Sequence, residues 1–179
     1  MPHSGLRNKA IGQAGEFAVC AQLGKLGLIA TPFSGNVPAF DVIVTDKRLA
    51  CLPIQVKATL GGNFWHGGDI RDYCECALDP HTGRQSLGEP RHPKNPDLVM
   101  IYVRLSKKPG EQDRFFILTQ TEAWSAIVQN YGRWLEKHDC RRPKRVDSYH
   151  CGLELQDIES YENIWGLIGT RLSGMSPGG

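Results

Sequence analysis

The chain has 179 residues, 40% of them hydrophobic, enough to bury one core, and it reads as a single globular domain. Lys and Arg number 21 against 19 for Asp and Glu, so bulk charge does not mark a nucleic-acid partner, and any such binding must rest on local patches. No stretch approaches the roughly 18 apolar residues of a membrane span, and "MPHSGLRNKAIGQAGEF" lacks the apolar core of a signal peptide. The expectation is a cytoplasmic protein with no membrane partner, whose six cysteines are reduced.

From Leu6 to Leu26 apolar residues recur at helical spacing, with Ile11, Ala14, Ala18 and Ala21 on one side and Val19, Cys20, Leu23 and Leu26 on an adjoining one. Gly27 stops this helix. "LIATPFSG", "AFDVIVTD" and "LPIQVKAT" read as an antiparallel meander with Lys47 and Arg48 in its second turn. Residues 60–95 are rich in Gly, Pro, His and charge and predict mostly loop, with "NFWHG" and "DYCECAL" as candidate short elements, and this is the natural place for substrate choice.

"PDLVMIYVRL" and "DRFFILT" are strong strand signals, and "QTEAWSAIVQNYGRWLEKH" is an amphipathic helix with Thr119 or Thr121 as N-cap. "LELQDIESYENIWGLIG" closes the chain as a short strand or turn plus a helix, before a flexible tail over 173–179. This order predicts an α/β or α+β domain with a mixed sheet flanked by helices.

Polar groups inside strands need partners. Gln55 and Lys57 share one face of their strand, opposite Ile54, Val56 and Ala58, and a hairpin across the Lys47 turn brings Asp41 toward them. Asp41 and Gln55 offer oxygen to a hard cation such as Mg²⁺, and Lys57 can orient water and stabilise charge on a phosphate. Glu16 sits on an apolar helix face, where a carboxylate calls for a cation.

Glu16 within "GQAGEFAVCAQLGKLGL", Asp41 in "AFDVIV" and "IQVK" ending at Lys57 together resemble the PD-(D/E)xK nuclease superfamily. Its members include archaeal Holliday-junction resolvases, many restriction enzymes and some homing endonucleases. The likeness is clearest over residues 10–59. Gln55 stands where the family has its second strand acid, as in QxK variants, and Pro38 precedes Asp41 by three positions.

The resemblance implies a restriction-endonuclease-like α/β fold and an endonuclease that hydrolyses DNA with Mg²⁺ or Mn²⁺. It assigns metal binding to Asp41, Gln55 and the Val56 carbonyl, water positioning to Lys57, and a supporting or second-metal role to Glu16. A homodimer or larger assembly is expected for duplex cutting. The competing expectation is a catalytically inactive DNA-binding or protein-interaction module on the same fold.

Arg141, Arg142, Lys144 and Arg145 form a basic run suited to DNA phosphates. Two further sets hold ligand types for zinc without the spacing of a recognised finger. One is His138, Cys140, His150 and Cys151, and the other is Cys74 and Cys76 with His66 and His81. The tryptophans read as packing residues.

Overall fold

The computed structural model describes residues 4–33, 39–108 and 110–175. In chain order the elements are α1 (Ser4–Lys25), β1 (Ile29–Pro32), β2 (Val42–Thr45), β3 (Cys51–Leu60), β4 (Phe64–Asp69), β5 (Cys74–Leu78), β6 (Gln85–Pro90), β7 (Val99–Leu105) and β8 (Arg114–Thr119). Then follow α2 (Gln120–Lys137), β9 (His150–Glu154), α3 (Leu155–Ile158) and α4 (Gly166–Ser173). They form a mixed α/β structure that divides into two compact units. Among the described residues no helix is long and apolar enough to cross a membrane.

The first unit comprises the described residues of Met1–Asn63, Leu98–Thr119 and Tyr161–Gly179. Its sheet runs β1-β2-β3-β7-β8. The first three strands are the expected antiparallel meander, β3 and β7 are parallel, and β7 and β8 are antiparallel. The central strand β7 is buried on both faces, which is why "VMIYV" is a continuous apolar run, whereas its parallel neighbour β3 alternates.

On one face, Val42, Val44, Leu52, Ile54, Val56, Val99, Ile101, Val103, Phe115 and Ile117 pack with Val19 and Leu23 of α1 and with Ile168 and Leu172 of α4. Arg114 holds Glu162 through two hydrogen bonds of 2.7 Å, and the Trp165 ring lies 5.4 Å from that of Phe115, so the C-terminal segment is tied to β8.

The helix buries part of each expected stripe, with Val19 and Leu23 buried and Ile11, Ala18 and Cys20 packed against the core. Its seam is Ile11, Gly15, Val19 and Leu23, at i, i+4 spacing, whereas Ala14, Ala21 and Leu26 are exposed. Gly15 occupies the closest approach, because a Cβ built there would stand 2.4 Å from the Ala58 Cβ and 3.6 Å from Val56 Cγ1. A glycine contributes nothing to a hydrophobic pattern, so the alanines at neighbouring positions misdirect the reading. Gly27 does end the helix: it takes φ +78°, and the Leu28 N–H reaches back to the Leu23 carbonyl at 3.1 Å.

The second unit comprises Phe64–Asp97 and Gln120–Ser160. Residues 60–95 are not mostly loop: they contain the end of β3, then β4, a 3-10 turn at Ile70–Asp72, β5 and β6. These strands form two-stranded ribbons, β4 with β9 and β5 with β6, each broken by a register shift. Ribbons with one exposed face, glycines and irregular register carry little periodic signal.

The helix α2 buries Ala123, Ile127, Tyr131 and Leu135 and lies against β9 and β6. It begins at Gln120, just after Thr119, while the Thr121 hydroxyl donates to the Pro96 carbonyl at 3.1 Å. Gln85 is the one polar residue buried in this core. Its amide donates to the Val146 and Ser148 carbonyls at 2.7 and 3.0 Å, and its oxygen accepts from Tyr131 Oη at 2.6 Å.

Candidate functional site

Asp41 stands immediately before β2, where the first three strands meet. Its backbone N–H donates to the Ile54 carbonyl at 2.9 Å and its carbonyl accepts from Phe33 N–H at 2.8 Å. Its carboxylate Oδ2 accepts from the Val56 backbone N–H at 2.7 Å. The acid therefore takes over a strand donor that β2, which pairs with β3 only as far as Ile54, does not reach. In an extended strand the N–H and C=O of one residue point to the same side, so the Val56 carbonyl is directed toward this same edge.

The contact at Gly15 sets Glu16 beside this edge. Burial and then the negative charge of Asp41 push the Glu16 carboxyl above the usual carboxylate range. Two like charges and a carbonyl dipole thus converge, an arrangement that a cation would relieve. Asp46 is otherwise engaged: it accepts from the Arg48 side chain and from the N–H groups of Arg48 and Ala50.

Gln55 and Lys57 project from the opposite face of β3, since Ile54, Val56 and Ala58 are the side turned to α1. Gln55 is half-buried and Lys57 exposed. The structure brings Glu16, Asp41 and the Val56 backbone together at the strand edge, with the Gln55 and Lys57 pair on the far side of the same segment. Among the described residues no three His, Cys, Asp or Glu side chains gather as a metal-ligand set. Pro38 lies outside the described residues, as do residues 176–179 of the expected tail.

The basic run behaves unevenly. Arg142 is turned inward: its guanidinium donates to Ser148 Oγ at 2.9 Å and to the His150 carbonyl, and it covers the Trp134 and Tyr131 rings at 4.9 and 5.4 Å. Arg141, Lys144 and Arg145 remain exposed. Arg145 lies 4.0 Å from Asp147, an exposed pair of little energetic weight.

The sequence reading missed two features. Gly15, which lets Glu16 approach the strand, carries no chemical label of its own. The Val56 N–H, as the partner of Asp41, becomes visible only when the end of the β2 ladder is known. Comparison of the chain with protein-family models, with curated proteins and with solved structures found no match.

Proposed function

We propose that this chain is a metal-dependent endodeoxyribonuclease of restriction-endonuclease-like fold. The observation that carries the reading is the junction of Asp41 with the Val56 backbone, with Glu16 beside it at the point where β2 leaves β3. The donor atoms there are oxygens, which suit a hard divalent ion such as Mg²⁺ or Mn²⁺. Asp41, the Val56 carbonyl and Glu16 would hold it at the strand edge, with Gln55 on the far face of β3 completing the expected set only if its side chain reaches round that edge. When bound, the ion supplies Lewis-acid polarisation of a phosphoryl oxygen and lowers the pKa of bound water.

The chain's own residues supply the rest. Lys57 presents an exposed ammonium that can lie against a phosphate oxygen and orient an attacking water. Glu16, on the helix side of Asp41, would support the ion or hold a second one. Arg141, Lys144 and Arg145 are exposed and would contact DNA phosphates, Arg145 by leaving Asp147, each such contact making affinity more sensitive to salt. Cutting both strands of a duplex would use two copies, so a homodimer belongs to this reading.

A second reading, a DNA-binding module that has lost catalysis, is favoured by one observation. With Gln55 in the second strand position the site offers two carboxylates rather than three. Incubation with supercoiled plasmid, single-stranded DNA and a branched junction, in Mg²⁺, Mn²⁺ or EDTA, separates the two. The nuclease reading expects metal-dependent cutting by wild type that is lost in Asp41→Asn and Lys57→Ala. Salt-sensitive binding without cutting, unchanged by Asp41→Asn, would replace it with the second reading.

A further inference from the structure

The β4 and β9 ribbon brings together two histidines that the sequence separates by more than eighty positions. His66 Nδ1 and His150 Nε2 lie 2.9 Å apart, both rings are exposed, and the ring centroids are 5.0 Å apart. The register explains how they meet. His66 pairs with Gly152, His150 pairs with Asp69, and the irregularity at Gly67 shortens the diagonal between them. Gly68 takes φ +97° to make that kink.

The surroundings support the His66 ring and the His150 backbone. The Phe64 ring packs edge-on to His66 with centroids 5.1 Å apart, and Arg142 donates to the His150 carbonyl. The neighbouring carboxylate, Asp69, is occupied by Arg71, whose guanidinium it holds at 2.6 Å.

Two imidazole nitrogens at this separation either share one proton or present two lone pairs to one ion. Two nitrogens bound to a tetrahedral zinc at about 2.0–2.1 Å stand about 3.3 Å apart, so small ring movements convert the pair into a chelate. We propose that His66 and His150 form a surface site for a borderline divalent ion such as Zn²⁺ or Ni²⁺, with water completing its coordination. The ion would cross-link β4 to β9. One histidine comes from each of the two groups of zinc-type residues in the sequence, which is why neither group had the right spacing by itself.

This inference rests on no part of the nuclease reading, because nitrogen donors select borderline ions and oxygen donors select Mg²⁺. The test is titration of the whole chain with Zn²⁺ and with Ni²⁺ in excess Mg²⁺, followed by calorimetry and by imidazole NMR. The expected result is one ion per chain, with the His66 and His150 resonances moving and those of the other histidines unmoved. His66→Gln and His150→Gln should each weaken binding by about tenfold or more, since losing even an outer partner of a ligand costs about 10–100-fold.

Absence of binding would overturn the proposal. So would equal binding by both variants, which would put the ion on thiols, or movement of other imidazoles. The wild-type NMR arm decides the matter even if a variant fails to fold.

Discussion

Gly12 and Gly15 lie one turn apart in α1, yet substituting each by alanine should have opposite effects. At Gly12 a new Cβ meets nothing within 4 Å, so Gly12→Ala gains only helix propensity, about 0.8–1 kcal/mol. At Gly15 the new atom would stand 2.4 Å from the Ala58 Cβ, an atom fixed to the β3 backbone that cannot rotate away. Helix and strand must separate by about 1 Å, at the upper end of the 1–3 kcal/mol typical of overpacking. Subtracting the propensity gain leaves a net loss of about 2 kcal/mol. At about 2–4 °C per kcal/mol for a chain of this size, Gly12→Ala should raise Tm by about 2–4 °C and Gly15→Ala lower it by about 4–8 °C. Thermal unfolding by circular dichroism measures both. Two variants that shift Tm in the same direction would refute the packing of α1 on β3 described here, and with it the position of Glu16. On the nuclease reading Gly15→Ala should also slow cutting at temperatures where the variant remains folded, because Glu16 follows directly.

Two carboxylates should give stability opposite dependences on pH. Burial and Asp41 raise the Glu16 carboxyl, so its contribution is full below the unfolded value of about 4.3 and is lost as pH rises through the folded value. Glu16→Gln should therefore be more stable than wild type at neutral pH in EDTA, with the gap closing on acidification. Hydrogen bonds and charge from Arg114 lower the Glu162 carboxyl, so its contribution is present above the unfolded value and is lost as pH falls through the folded one. Glu162→Gln should cost about 1 kcal/mol at neutral pH, as expected for a partly exposed pair, and less in acid. Urea unfolding across pH measures both slopes, and a wild type more stable than Glu16→Gln at neutral pH would contradict the first. In the second unit, Gln85→Leu strands the Tyr131 hydroxyl and two carbonyls, a loss of about 3 kcal/mol. Adding Tyr131→Phe to Gln85→Leu should cost less than it does in wild type, since the two residues share one network.

The strands of the first unit were legible because burial writes itself into sequence. "VIV", "VMIYV" and "FFIL" are apolar runs suited to the inside of a sheet, and the polar pair Lys47 and Arg48 marks the turn between β2 and β3, which closes with Leu49 at φ +65°. The ribbons of the second unit were legible only as candidate short elements in "NFWHG" and "DYCECAL", and "QSLGEP" was not read as a strand at all. "CECAL" and "QSLGEP" bury few side chains, and what positions them is a polar residue, Gln85, whose three partners lie far along the chain. No local rule assigns such a residue to a core. The helix seam was legible in Ile11, Val19 and Leu23 but not at its closest contact, which is made by an absent side chain at Gly15.

The site was legible in its parts and not in their arrangement. Strand alternation correctly gave Gln55 and Lys57 a common face, and hairpin geometry correctly brought Asp41 to the Gln55–Lys57 segment in the middle of β3. Neither argument says which face α1 covers, because that depends on where the helix can come closest, and the glycine that decides it is silent in a hydrophobic pattern. Once Gly15 is set against Ala58, Glu16 approaches β3 from one side while Lys57 leaves it from the other. A phosphate that is to meet both must therefore sit at the strand edge beyond Asp41, where the β2 ladder has ended, rather than on the broad face of the sheet. On the nuclease reading that requirement gives Asp41 its importance: by holding the Val56 N–H it occupies a position on β3 that a longer β2 would otherwise pair with.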